Sequence, residues 1–413
     1  MRARHALGAL AALAIALTAA GCGSSDTSST PSGTTGGGTG STPTTTPAPL
    51  GGTMPTSVGA GEGALNLVNW AGYAESGASD KNYDWVHPFE KATGCIVNSK
   101  VAATSDEMVK LIATGSYDGV SASGNASTRL ILAGDAAPVN VDLVKNYADL
   151  SPFLKDQPYN TYQGVHYGIP HGWGANLLMW RPDKVNPAPT SWGAVFDASS
   201  PYKGKITAYD DPIYIADAAL YLSKTQPALG ITDPYELTDA QFAAAVDLLK
   251  VQRGLIGQYW SDYTKEMSAF ASGDSVIGTS WQIIANLILL DKKNPKVEVI
   301  VPSEGSTGWS DTWMVYSKAS HPNCMYMWLD WITKPDVQAS VATWFGEAPA
   351  NPTACDTIAK GDATFCDQFH VKDEAFYKAV AFWKVPLSDC GDSRGKTCKG
   401  YGDWLAAWQS IKG

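Results

Sequence analysis

Apolar positions along the chain follow two rhythms in alternation. Leu65, Leu67 and Val68 form a short apolar run that predicts a strand over residues 65–69. A helical spacing across 83–93 and a second strand over 96–101 follow it. Thr104-Ser105-Asp106-Glu107 has the form of a capping box, with Met108, Leu111 and Ile112 behind it at helical spacing. Gly115 ends that helix, and Tyr117-Asp118-Gly119-Val120 leads into a third strand. This βαβαβ order predicts an α/β lobe with a parallel sheet. Farther on, residues 205–209, 276–280 and 297–301 read as strands and 283–290 as a helix. Thr238-Asp239-Ala240-Gln241 opens a helix with Phe242, Ala245, Val246 and Leu249 on one face and Gly254 at its end. Ser320-His321-Pro322 starts another that carries Met325, Trp328, Leu329 and Trp331. No tandem repeat occurs. A chain of 413 residues exceeds one ordinary core, so two α/β lobes are expected.

The N-terminus breaks both rhythms. Arg2, Arg4 and His5 precede an apolar run over 6–20, short for a membrane span and suited to a secretory leader. Ala19-Ala20-Gly21-Cys22 resembles the lipobox of bacterial lipoproteins, which implies removal of residues 1–21 and lipidation of Cys22. Residues 22–63 are Ser, Thr, Gly and Pro with almost nothing apolar, and read as a tether. The expected location is extracytoplasmic, with the lipid anchor as the only membrane attachment. Six further cysteines in an exported chain predict three disulfides. Cys355–Cys366 and Cys390–Cys398 are near in sequence, which leaves Cys95–Cys324. No C-x2-C pair is present, and no metal site is expected. The formal charge of −10 comes without any Lys/Arg cluster, which argues against nucleic acid and favours a cationic partner.

In open parallel sheets, ligands sit beyond the carboxyl ends of the strands. Trp70 and Tyr73 follow the first strand, Ser123 and Asn125 the third. Asp210 and Asp211 follow 205–209, and Trp281 follows 276–280. Trp309 and Asp311 follow 297–301 and the turn Glu304-Gly305-Ser306. Aromatic faces beside carboxylates suit an organic cation, through cation–π attraction and charge pairing. Asp211 can also cap the helix that Pro212 begins. Trp328, Trp331 and Trp344 read as core, and Trp173 as cleft wall or hinge packing.

NWAGY, YDGVSAS, GIPHGWGAN, TAYDD, GTSWQ, PSEGSTGWSD, KPDVQASVATWFGEAPANP and GDWLAAWQSIKG stand in an order and spacing that resemble the spermidine/putrescine-binding proteins of bacterial ABC importers. The resemblance runs from about residue 65 to the C-terminus. It implies a two-lobed periplasmic-binding-protein-like (type II) fold with a hinge and an inter-lobe cleft. Lobe 1 would hold 64–170 and 312–352, lobe 2 171–311 and 353–413. By the same resemblance Trp70 and Tyr73 form an aromatic pair, Ser123 is a polar contact, and Trp281 and Trp309 sandwich a methylene chain. Asp211 and Asp311 each take an amine. Three positions depart from the family: Tyr214 stands where it has a second acid, and Asn125 and Glu347 where it has tyrosines. The resemblance also implies a monomer that needs no cofactor, captures a polyamine and docks on permease subunits. The other readings are an opine, amino-acid derivative or sugar binder on the same fold, or a secreted hydrolase. The chain has no G-x-S-x-G, H-E-x-x-H or P-loop, and His166 and His171 are poorly spaced for a shared metal, so no enzyme is expected.

Overall fold

The computed structural model describes residues 49–413. The expected leader, Cys22 and most of the tether lie outside the described residues. Two sheets organise the molecule. The larger holds β1 (Ala64–Asn69), β2 (Ile96–Val101), β3 (Gly119–Ser123), β6 (Gly168–Ala175), β12 (Thr307–Val315) and β13 (Ala348–Pro349), in the order β13-β6-β12-β3-β1-β2. A short β14 (Ala381–Phe382) pairs with β12. The smaller holds β7 (Leu177–Trp180), β8 (Ile206–Tyr209), β9 (Ile256–Trp260), β10 (Ile277–Ser280) and β11 (Glu298–Ile300), in the order β11-β7-β10-β8-β9. A small hairpin of β4 (Thr161–Tyr162) and β5 (Val165–His166) stands apart.

The local signals act as their chemistry requires. Leu65, Leu67 and Val68 are fully buried, and β1 pairs parallel with both β2 and β3. The Thr104 hydroxyl accepts from Glu107 N at 3.1 Å and caps helix Ser105–Ala113. The Glu107 carboxylate accepts from Ala103 N at 2.8 Å, one residue before the capping residue. At helix Asp239–Arg253 the box closes fully, with Thr238 N donating to Gln241 Oε1 at 3.0 Å. Disulfides join Cys95–Cys324, Cys355–Cys366 and Cys390–Cys398, in the pairing expected.

Three expectations about organisation change. The tether was expected to run to residue 63, but residues 55–62 are bonded to the body. Asn140 Nδ2 donates to Pro55 O, and Gly59 N donates to Asn323 Oδ1. Glu62 accepts from Asn323 N and Cys324 N, both at 2.9 Å, at the start of helix Pro322–Ile332. A carboxylate there meets the free N–H groups and the positive end of the helix dipole. The boundaries at 170/171 and 311/312 fall inside β6 and β12. Both strands stay in the larger sheet along their length, so the chain crosses between sheets near Asn176 and Ser306. Residues 353–413 do not all go to the second lobe. Ala354, Ile358 and Phe365 pack on Ala339 and Ala342 of helix Pro335–Phe345, beside the larger sheet. Beyond β14 the chain returns to the second lobe, where Lys384 pairs with Asp233 and Glu236, Lys399 with Asp239, and helix Tyr401–Lys412 packs on helix Asp239–Arg253.

Candidate functional site

A cleft of about 720 Å³ opens between the two sheets, lined among others by Trp70, Trp281, Trp309, Asp311, Trp344 and Phe345. The strand-exit expectation holds for two of these: Trp70 leaves β1, and Trp281 leaves β10. Trp309 and Asp311 differ. They stand inside β12, which runs antiparallel between β3 and β6, with Asp311 opposite both Ser123 and Gly172. All nine residues of β12 are buried. A strand covered on both faces shows no apolar–polar alternation, which hides it from periodicity.

The NWAGY loop has a physical reading. Trp70 faces the cleft, and Tyr73 N closes the turn on Trp70 O at 3.3 Å. Gly72 has φ +92°, and a Cβ there would lie 3.1 Å from Phe345. The turn therefore needs glycine for its backbone and for the ring packed on it. Tyr73 then goes beneath the floor of the cleft, fully buried, 4.4 Å from the His171 ring and 4.6 Å from Phe345.

Its hydroxyl meets two acids, Asp311 Oδ2 at 2.7 Å and Glu347 Oε2 at 2.8 Å. Ser123 Oγ donates to the other Asp311 oxygen at 2.5 Å. Burial pushes the Asp311 carboxyl up to about 7 and Glu347 well above the ordinary range. Among the described residues no Lys or Arg lies within 4.0 Å of either acid; the nearest nitrogen base is His171 Nε2, 3.7 Å from Glu347 Oε1. Burial holds His171 down at about 3, so it is neutral. Its Nδ1 accepts from the Gln338 amide at 3.2 Å, which puts the imidazole hydrogen on Nε2. Asp311 at the floor of the cleft, and Glu347 beneath it with Tyr73 and Ser123, are thus two acids with no Lys or Arg among the described residues to balance them.

Glycines make this possible. A Cβ at Gly172 would lie 2.4 Å from the Glu347 carboxyl carbon, and one at Gly174 2.7 Å from the Trp309 ring. The β6–β12 register slips between Asp311 and Thr312, so His171 is the extra residue of a bulge beside Pro170.

The other expected residues stand elsewhere. Asn125 is buried near the start of helix Gly124–Ala133, where its side chain accepts from Ser105 Oγ at 2.9 Å. Asp211 caps the turn Pro212–Tyr214 by accepting from Ile213 N at 2.9 Å, and burial raises it to about 7. Asp210 is held by Lys412 at 2.6 Å and by Trp408. Tyr214 accepts from Gln252 Nε2 at 2.9 Å and lines a separate small cavity. Neither Asn125, Asp211 nor Tyr214 lines the large cleft. Trp344 is packed in the core as expected and lines the cleft as well, as do Phe345, Tyr263 and the half-buried Glu75. Two aromatic residues in the last turn of a helix, followed by Gly346 at φ +77°, were the available signal for the first two.

Comparison with known proteins agrees with this architecture. The family described as bacterial extracellular solute-binding protein matches residues 84–364. The spermidine/putrescine-binding periplasmic protein of Escherichia coli (strain K12) is 24% identical over 294 residues, covering 70% of this chain and 78% of that one. The putrescine-binding periplasmic protein PotF of the same organism is 25% identical over 334 residues, covering 75% and 84%. Among solved structures, the spermidine/putrescine ABC transporter substrate-binding protein PotD of Streptococcus pneumoniae superposes with a TM-score of 0.64 at 18% identity, covering 85% of this chain and 99% of that one. Its likeness carries the two-lobed fold. With more than half of its length matched, this chain belongs to the bacterial extracellular solute-binding proteins.

Proposed function

We propose that this protein captures a polyamine in the cleft between its lobes and delivers it to an ABC importer. The observation that carries the reading is the buried acid Asp311 at the floor of an indole-walled cleft, joined through Tyr73 to a second acid, Glu347, beneath it, with no Lys or Arg beside either among the described residues. An unpaired buried carboxylate costs several kcal/mol, and an ammonium ligand relieves that cost. Trp70, Trp281 and Trp309 supply faces for the methylene chain and for cation–π contact, worth about 0.5–2 kcal/mol each. Micromolar binding needs about 8 kcal/mol, so several such contacts and the charge pairs act together. The ligand leaves unchanged: the role is carriage, with the ligand-bound form presented to the permease subunits. Lipidation at Cys22 and the Ser/Thr/Gly/Pro segment would hold a monomer near the membrane surface. The spermidine- and putrescine-binding relatives support the choice of ligand class.

Calorimetry with putrescine and spermidine tests the site. The Asp311→Asn variant, nearly isosteric, is expected to keep its fold and lose at least tenfold in affinity, about 1.4 kcal/mol. Unchanged affinity in that variant would remove Asp311 from the site.

A further inference from the structure

A carboxylate stands one helical turn beyond Tyr214. Asp217 lies three residues on, in helix Ile215–Thr225, so the two side chains share a face. Both line a small cavity that also touches Tyr209, Trp260, Trp281 and Trp383. The four rings form a cage. Tyr209 and Trp383 are stacked at 5.8 Å, Tyr209 and Trp281 are 5.1 Å apart, and Trp260 and Trp281 are 5.0 Å apart. The cavity measures about 10 Å³, room for one water-sized group such as an ammonium head.

The hydrogen bonds around Asp217 run one way. Trp281 Nε1 donates to Asn176 Oδ1 at 3.0 Å, and Asn176 Nδ2 donates to Thr307 Oγ1 at 2.7 Å. The Thr307 hydroxyl therefore gives its hydrogen to Asp217 Oδ1, at 2.8 Å. Asp217 ends the chain as an acceptor, the arrangement that suits a carboxylate anion. It is buried, and among the described residues no Lys or Arg lies within 4.0 Å of it. The Tyr209 hydroxyl, in the same cavity, is buried and has no hydrogen-bond partner. A carboxylate without a cation and a phenol oxygen without a donor are what an ammonium head would satisfy.

Trp281 stands between the cage and the main cleft and lines both. Thr307, Trp309 and Asp311 alternate on one face of β12, so the Thr307 end and Asp311 are separated by about 13 Å along the strand, with the Trp309 ring between them.

Resting on the polyamine reading, we propose that Asp217 and its aromatic cage receive one ammonium end of the captured amine while Asp311 receives the other, the methylene chain passing between Trp281 and Trp309. The protein thereby selects chains charged at both ends and long enough to reach both acids.

Calorimetry on the Asp217→Asn variant with spermidine, putrescine and butylamine tests this. Spermidine, long enough to reach both acids, should lose at least tenfold, while putrescine, too short to span them, and butylamine, with a single charge, should bind as they do to the wild type. Unchanged spermidine affinity, or an equal loss for butylamine, would overturn the proposal in favour of a purely structural Asp217. Tyr209→Phe removes only the free oxygen; it should weaken spermidine several-fold and spare butylamine. Should Asp217→Asn not fold by circular dichroism, an unchanged spermidine affinity in Tyr209→Phe would overturn the proposal by itself. A wild-type protein that binds none of the amines would sink the polyamine reading and this proposal together. A wild type that binds spermidine alongside an indifferent Asp217→Asn would sink only this one.

Discussion

Tyr73 has one hydroxyl hydrogen and two carboxylates within reach of it. It can donate to only one of them, so the other carboxyl must supply a hydrogen of its own. Burial raises both acids, Asp311 to about 7, so the empty site holds a proton where an amine would sit. The consequence for pH has a definite sign. The bound state needs Asp311 ionised beside the ammonium while Glu347 keeps the hydrogen that faces Tyr73, so the complex holds fewer protons than the free protein. Affinity therefore rises with pH through the window from ordinary carboxylate values to about 7, then levels off. Amine affinity is expected to be at least tenfold weaker at about pH 5.5 than at about pH 8, with proton release detected by calorimetry in buffers of different ionisation heat. Equal affinities at the two pH values would mean that Asp311 is already ionised in the empty cleft. The same shift acts oppositely on the empty fold. Folded Asp311 binds its proton more tightly than unfolded, so its contribution to stability falls as pH rises through the same window.

Strand β6 places more of the site than its own side chains suggest. Its Gly172 lies under Glu347 and its Gly174 under Trp309, while the bulge at His171 carries the imidazole against Tyr73. Neither glycine has a positive φ, so the requirement is close approach and not backbone freedom. Gly174→Ala is expected to push the Trp309 ring out of line. It should cost about 1–3 kcal/mol of stability by overpacking and weaken amine binding at least tenfold, read from melting and calorimetry. Gly402→Ala, in an exposed helix with nothing within 4 Å of the added carbon, should leave binding alone. Wild-type affinity in Gly174→Ala would show that the ring's position does not matter.

At the scale of the molecule, the lobes meet away from the cleft as well as across it. Across it, Trp70 approaches Trp281 edge-on at 6.0 Å. Away from it, Arg129 of the first lobe bonds Asp106 at 2.5 Å and lies 4.3 Å over the Tyr401 ring of the C-terminal helix. The Tyr401 hydroxyl donates to the same Asp106. This three-residue contact ties helices Ser105–Ala113 and Gly124–Ala133 to the far lobe through side chains that do not line the cleft. Removing it lowers the share of molecules in the binding-competent arrangement, and apparent affinity falls by that share. Arg129→Ala should therefore weaken amine binding about two- to tenfold with every cleft residue intact, and enlarge the radius of gyration of the empty protein in small-angle scattering. An unchanged radius together with unchanged affinity would mean that the contact does not hold the lobes together.

The division between sequence and tertiary structure follows the range of the forces involved. Caps, turns and half-buried strands are local, so Thr104, Thr238, Gly115 and the run at residues 65–69 marked their elements without any partner in view. The cysteine spacings likewise carried the three disulfides, and the aromatic residues after β1 and β10 marked one end of the cleft. Other features depended on contacts across long stretches of chain. Asp311 looked like a loop residue because β12 is buried on both faces, and Trp344, packed in the core as expected, also meets the cleft because the fold brings the end of its helix there. Asp211 became a cap, while Asp217, one residue among many acids in the sequence, acquired a cage of rings drawn from three strands and the C-terminal segment. A carboxylate's role depends on which donors and cations surround it in the folded protein, and those neighbours are up to 295 residues away in the chain, as Tyr401 is from Asp106.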